Sequence, residues 1–257
     1  MSSLDILTLP PPPPDFKLPY ASGLLQFGEL RLPSGKGPHP LAMVVHGGFW
    51  KSQYSVAHSG HMCAALTKAG IATWSIEYRR VGNSGGGWPG TFEDVTSGFR
   101  FLPQIAPRFN LNLKTVTAIG HSAGGQLALC LAAHQLKLRR VVSLAGVLDL
   151  RMAWALQLGG GAVEAFLGGP PEIVPEHYKE ASPAEIKFPP GVKQHLIHGE
   201  RDDIVPPAMS RSYRDNKHRQ KEDVTLWEIP AAGHFELIDP RSAAWPQVVN
   251  AVVKLQS

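Results

Sequence analysis

The chain has 257 residues and a formal net charge of +4, with 43% apolar and 18% charged residues. That much apolar material with so little charge excludes a disordered chain, and at about 150 residues per domain an α/β fold of this length forms one domain. The longest apolar runs, such as Val141 to Val147, fall far short of the ~18 residues a membrane span needs. Met1 to Pro14 lacks a basic start and an apolar core, so it does not read as a secretory signal, and a cytoplasmic protein is expected. Cys63 and Cys130 belong to no CxxC and read as buried reduced thiols. The dense basic stretch Arg211 to Lys221 also carries Asp215 and reads as a solvated helix face, so no nucleic-acid partner is expected.

In chain order, residues 1–23 read as a proline-rich arm. Its run Pro10 to Pro14 favours polyproline II and cannot join a sheet. A single domain over 24–257 follows. Gly23 to Pro33 reads as a strand, Leu41 to Val45 as a buried strand, and Val56 to Lys68 as a helix ending at Gly70. Then come the strand Ile71 to Glu77, the helix Thr91 to Leu102 stopped by Pro103, the strand Thr115 to Ile119 and the helix Ala123 to His134. Arg140 to Leu144, Gln194 to His198 and Val224 to Ile229 read as strands, Pro207 to Arg219 and Ala243 to Leu255 as helices. Near-continuous apolar strands separated by helices predict an α/β fold, a mostly parallel central sheet covered on both faces.

The segment 149–190 breaks this rhythm. It carries glycine clusters and six prolines (Pro170, Pro171, Pro175, Pro183, Pro189, Pro190) where a crossover needs only about a dozen residues. A small helical cap over the carboxyl ends of the strands accounts for the surplus.

Gly120-His121-Ser122-Ala123-Gly124 follows an apolar strand and opens a helix, the context of a nucleophile elbow. The serine must sit in a sharp turn, so its neighbours two residues either side must be small, and the helix N-terminus favours developing negative charge. A serine hydroxyl also needs a base. Of eleven histidines, His234 lies just after the last strand, at the same sheet edge as Ser122, whereas His198 ends a strand and is placed to brace the turn after it. His58 and His61 have a metal-compatible spacing but no matching carboxylate or cysteine, so no metal site is assigned. The base needs an acid, and Asp202 and Asp203 both follow the strand ending at His198, with Asp149 a weaker rival. The glycines of His46-Gly47-Gly48-Phe49-Trp50 let backbone N–H groups approach a substrate oxygen, which makes the N–H groups of Gly48 or Phe49, with that of Ala123, the candidate oxyanion hole.

These motifs resemble the α/β-hydrolase fold. His-Gly-Gly-Phe-Trp, Gly-His-Ser-Ala-Gly-Gly, His-Gly-x-x-Asp-x-x-Val-Pro and Gly-His-Phe together are similar to the esterase and kynurenine formamidase branch, from Leu41 to the C-terminus. The resemblance implies that the triad acid is Asp202, at the aspartate position of the third motif. Phe49 stands where such formamidases often have tyrosine and lipase-like relatives a third glycine.

The resulting expectation is a serine hydrolase of small carboxylic esters, working through an acyl-enzyme with Ser122, His234 and Asp202. Such a mechanism needs no cofactor. Arylformamidase activity on an N-formyl aromatic amide is the alternative within enzymes, and a non-catalytic binding module of the same fold the alternative outside them. Trp50, Trp88, Trp154 and Phe235 are expected around the substrate, in a compact pocket that favours short acyl or small aromatic groups.

Overall fold

In the computed structural model, which describes residues 3–256, the apolar runs of the sequence become one eight-stranded sheet. Its strands are β1 (Phe16–Pro19), β2 (Phe27–Arg31), β3 (His39–Val45), β4 (Ala72–Ile76), β5 (Leu111–His121), β6 (Arg140–Leu144), β7 (Lys193–Gly199) and β8 (Asp223–Ile229). Their spatial order is β1-β2-β4-β3-β5-β6-β7-β8; β1 and β2 pair antiparallel at one edge and the remaining strands run parallel.

The helices are α1 (Gly60–Lys68), α2 (Gly90–Arg100), α3 (Leu102–Phe109), α4 (Ala123–His134), α5 (Leu150–Ala155), α6 (Ala162–Leu167), α7 (Pro175–Ala181), α8 (Pro207–Arg219) and α9 (Trp245–Gln256). Alternation along β3 separates the two cores: Leu41, Met43 and Val45 pack with α2, α3, α4 and α8, while Ala42 and Val44 pack with α1 and α9. β4 is therefore buried at every position, and α4, wedged between the sheet and its neighbours, is buried from Ala123 through Ala132. Truncating a core leucine there, such as Leu127, costs about 2–5 kcal/mol by loss of transfer energy and the cavity left behind.

Three features differ from the sequence reading. Phe16–Pro19, inside the expected arm, is an edge strand registered on Phe27–Leu30, and the proline run before it touches the body, Arg31 Nη2 donating to the Pro12 carbonyl at 2.9 Å. The helix expected to stop at Pro103 instead breaks at Phe101 and restarts as α3; Pro103 sits in the first turn, where its missing N–H is no loss. The segment 149–190 holds three short helices, α5 to α7, joined by glycines in left-handed conformations.

Candidate active site

Every part of the site lies on a loop leaving the carboxyl end of a parallel strand, where open α/β sheets bind ligands. His46 to Trp50 follows β3, Ser122 follows β5, Asp202 follows β7 and His234 follows β8.

Ser122 adopts φ 57° and ψ −123°, a conformation that costs a side-chain-bearing residue roughly 1–3 kcal/mol. The turn is held by the Ser122 N–H, which donates to the Leu144 carbonyl at 2.9 Å. The Ser122 carbonyl in turn accepts from Gly125 N–H at 2.9 Å and Val147 N–H at 3.2 Å. Sterics fix the flanking glycines: a Cβ on Gly120 would lie 2.0 Å from the Gly124 carbonyl oxygen, and one on Gly124 would lie 2.1 Å from that of Val45. Serine with small residues two places either side is thus what lets β3, β5 and α4 converge.

Asp202, on the loop after β7, and His234, on the loop after β8, meet through their side chains. His234 Nδ1 donates to Asp202 Oδ2 at 2.7 Å, which fixes the tautomer and leaves Nε2 as a base. Asp202 Oδ1 accepts from the N–H groups of Ile204 at 2.9 Å and Val205 at 2.8 Å. His198 braces the same turn, with Nε2 2.8 Å from the Val205 carbonyl and 3.2 Å from Asp202 Oδ2. Burial on its own raises the Asp202 pKa, but the hydrogen bonds from His198 and His234, the His234 charge and the Val205 N–H outweigh it and hold the carboxyl well below the usual range. Asp203 is exposed, and Asp149 caps α5 by accepting from Met152 N–H at 2.9 Å.

Ser122 and His234 line one cavity of about 70 Å³, together with Gly48, Phe49 and Phe235. Gly48, Phe49 and Trp50 form a left-handed run, with φ of 113°, 50° and 56°. Among the described residues none accepts a hydrogen bond from the N–H of Gly48, Phe49 or Ala123, so these donors are available to an oxyanion. A buried cluster supports the loop from beneath. His46 turns Nδ1 to the Gly47 carbonyl at 2.8 Å and Nε2 to Glu77 Oε1 at 3.1 Å, while Tyr78 OH donates to the His46 carbonyl at 2.7 Å. Arg80 pairs with Glu77, which also receives Val56 N–H at 3.0 Å. Burial raises the Glu77 pKa, and the contacts to His46 and Arg80 more than reverse that.

The aromatic residues divide. Phe49 and Phe235 face the cavity, but Trp50 is a correction: it is fully buried, stacked on Phe166 at 4.5 Å between ring centroids, with its Nε1–H on Gln126 Oε1 at 2.9 Å. Its left-handed backbone turns the ring into the core, and an indole N–H in a core needs such a partner. Trp88 and Trp154 also lie outside this cavity; Trp88 stacks on Phe92 at 5.3 Å, and Trp154 Nε1–H reaches Glu164 Oε2 at 3.3 Å. The walls missed from sequence are Tyr54 and His58, from the chain between β3 and α1, and Ile204, one of the unspecified positions of the motif that carries Asp202. The segment 149–190 packs onto the loop after β3: Lys51 Nζ donates to the Gly159 carbonyl at 2.7 Å, and a Cβ on Gly159 would lie 2.7 Å from the Phe49 ring.

His58 and His61 do not converge, His58 bonding His121 and His61 the Leu9 carbonyl. Among the described residues no group of three His, Cys, Asp or Glu side chains is placed to hold a metal, and no helix is long and apolar enough to cross a membrane.

The sheet order, the elbow after β5 and the acid and histidine loops after β7 and β8 define the α/β-hydrolase class. Residues 29–216 match the model of the BD-FAE family, and the chain belongs to that family. It is 24% identical over 235 residues to esterase LipC of Mycobacterium tuberculosis (strain ATCC 25618 / H37Rv), an alignment covering 79% of this chain and 54% of LipC. The chain therefore spans about half the length of that curated relative. Among solved structures it resembles a truncated carbohydrate esterase from gut microbiota, with TM-score 0.79 and 18% identity over 93% of this chain and 95% of the other. It also resembles the propionate-bound esterase Est2 of the planctomycete Thermogutta terrifontis, with TM-score 0.72 and 19% identity over 89% and 87% of the two chains. At these identities the structural likeness is one of fold.

Proposed function

We propose that the protein is a serine hydrolase of carboxylic esters with short acyl or small aromatic groups. The carrying observation is the alignment of a left-handed Ser122, a carboxylate-fixed His234 and unclaimed backbone donors around one cavity of about 70 Å³. In this reading Ser122 Oγ attacks the acyl carbon while His234 Nε2 takes its proton. Asp202 stabilises the imidazolium, and the N–H groups of Ala123 and of Gly48 or Phe49 hold the oxyanion. His234 then gives the proton to the leaving alcohol. Water, activated by the same histidine, attacks the acyl-serine and releases the acid, regenerating Ser122.

The esterase names of LipC and the two structural neighbours support this class, and the propionate in Est2 is an acyl group of the size the small cavity fits. The reading takes the protein to act in the cytoplasm on a small-molecule ester; the buried unpaired thiols of Cys63 and Cys130 fit a reducing compartment. The test is a kcat/KM series of p-nitrophenyl esters from C2 to C16, with N-formylkynurenine alongside, on unlabelled protein, while a separate sample is treated with a fluorophosphonate and the labelled serine is located by mass spectrometry. Activity is expected to peak at short chains and fall beyond about eight carbons, since a methylene that fits gains at most about 1 kcal/mol and one that does not clashes. Rates that keep rising through C16 would overturn the compact-pocket part, a faster formamide would replace the ester, and label on a different serine would overturn the mechanism.

A further inference from the structure

We infer that His121, the residue before Ser122, is a positioning residue that holds the His234 backbone against the nucleophile's turn, with His58 as its support; this rests on the hydrolase reading above. The elbow's steric demands fall on Gly120 and Gly124 and leave the position before the serine free, so they give no reason for a histidine at 121. The structure supplies one. His121 is fully buried, its Nε2 lies 3.0 Å from the His234 carbonyl oxygen, and its Nδ1 lies 2.9 Å from His58 Nε2.

The tautomers follow in sequence. A carbonyl only accepts, so His121 Nε2 carries the proton and Nδ1 is bare. His58 Nε2–H must therefore donate to it, and His58 Nδ1, buried with no partner, stays bare. Protonating His121 at its bare Nδ1 would set two N–H groups face to face, and protonating His58 at Nδ1 would bury a charged N–H with no acceptor. Burial, then the charges of His234 and His58, keep His121 well below the histidine range, and burial, then His46 and His234, pushes His58 down to about 3. The titratable groups around the pair are His46, His234 and Asp202, and the pair itself is held neutral. It can hold the base without placing a second cation beside the imidazolium, although the His121 and His234 ring centroids are only 4.5 Å apart.

The clamp complements Asp202, which fixes the imidazole ring; His121 fixes the main chain that carries it. Because His121 is bonded to Ser122, the serine and its base are tied by one hydrogen bond that does not pass through Asp202. A shift of about 1 Å between such groups costs on the order of 100-fold in rate.

The experiment compares His121→Leu, which fills the space without a donor, with His121→Gln, whose amide can donate to the His234 carbonyl. Expected for His121→Leu is a kcat about 30- to 100-fold lower with KM changed less than about threefold. His121→Gln should recover to within about fivefold of wild type. The downfield proton resonance of the His234–Asp202 hydrogen bond gives a second readout: kept in His121→Gln, shifted or exchange-broadened in His121→Leu. His58→Leu, which removes only the support, should lose about three- to tenfold in kcat and serves if the His121 variants do not fold. Equal kcat and an unmoved resonance in His121→Leu, equal losses in both His121 variants, or an unaffected His58→Leu where it alone folds, would overturn the inference. The resonance measured in a Ser122→Ala background needs no turnover, so it decides the clamp even if the wild-type chain proves to hydrolyse no ester.

Discussion

Asp202→Asn separates the acid of the proposed triad from its neighbours with little disturbance of shape. Asp202 Oδ1 accepts two backbone N–H groups, from Ile204 and Val205, so the amide oxygen of the variant is held in that place. The new NH2 group then faces His234 Nδ1 where Oδ2 had accepted at 2.7 Å. Two donors cannot share that contact, so His234 moves its proton to Nε2, the nitrogen that must take the serine proton. The same NH2 meets His198 Nε2, 3.2 Å from Oδ2 and already donating to Val205, which adds a repulsion of about 1 kcal/mol to folding. A wrong tautomer of this kind costs about 10³–10⁴ in kcat, or ~4–5.5 kcal/mol at about 1.4 kcal/mol per decade. Asp203 is exposed, and Asp203→Asn should stay within about twofold of wild type. The assay is kcat on a short p-nitrophenyl ester, with near-UV circular dichroism and thermal melts to show that both variants fold. A folded D202N retaining more than about a tenth of wild-type kcat, or ranking above D203N, would refute the assignment. Mild, equal losses would shift attention to Asp149 in spite of its work as the α5 cap.

Ser122→Ala should lower kcat by about 10³ or more while the melting temperature stays or rises, since alanine keeps the turn and loses only the nucleophile; an active variant would remove Ser122 from the mechanism. Gly124→Ala should destabilise the fold by about 3 kcal/mol or yield insoluble protein, because its Cβ would meet the Val45 and His46 carbonyl oxygens at 2.1 and 2.5 Å; a melt within a degree of wild type would contradict that geometry. Because the Asp202 carboxyl is depressed in the folded state, its contribution to stability is full above the unfolded carboxylate range and fades as pH falls towards the folded value. The stability gap between wild type and D202N should therefore be flat above about pH 5 and close below about pH 4; a gap that widens in acid would reverse the sign of the shift.

The parallel core was legible because its strands are apolar on both faces and its helices carry plain stops: α4, β6 and α8 fall at the expected residues. Phe16–Pro19 was hidden by its prolines, although an edge strand needs hydrogen bonds on one side only and tolerates proline there. Ser122 and His234 stood out as candidates because flanking glycines leave a local signature, whereas the choice of Asp202 over Asp203 rested on the family resemblance alone. The aromatic walls were not legible. Whether Trp50 faces substrate or core depends on the left-handed turn at 48–50, which reverses side-chain direction, and sequence spacing does not encode that reversal. Tyr54 and His58 reach the cavity only because the chain after β3 folds back across it.

The strain in that turn explains the buried ionic cluster beneath it. Phe49 and Trp50 hold left-handed backbones, which cost non-glycine residues about 1–3 kcal/mol each. Such a conformation persists only where the surroundings over-determine it. Here His46 holds the Gly47 carbonyl, Glu77 holds the His46 ring and the Val56 N–H, and Trp50 is locked by Gln126 and Phe166. A buried charged group is poor evidence of added stability, because desolvation opposes its attraction to a partner. Its value here is geometric: hydrogen bonds and ion pairs tie His46, Glu77, Tyr78 and Arg80 together, and through the His46 contact to the Gly47 carbonyl they hold the loop whose Gly48 and Phe49 line one cavity with Ser122. Glu77 and Arg80, the charged residues that follow the apolar strand β4, thus serve to hold the loop after β3.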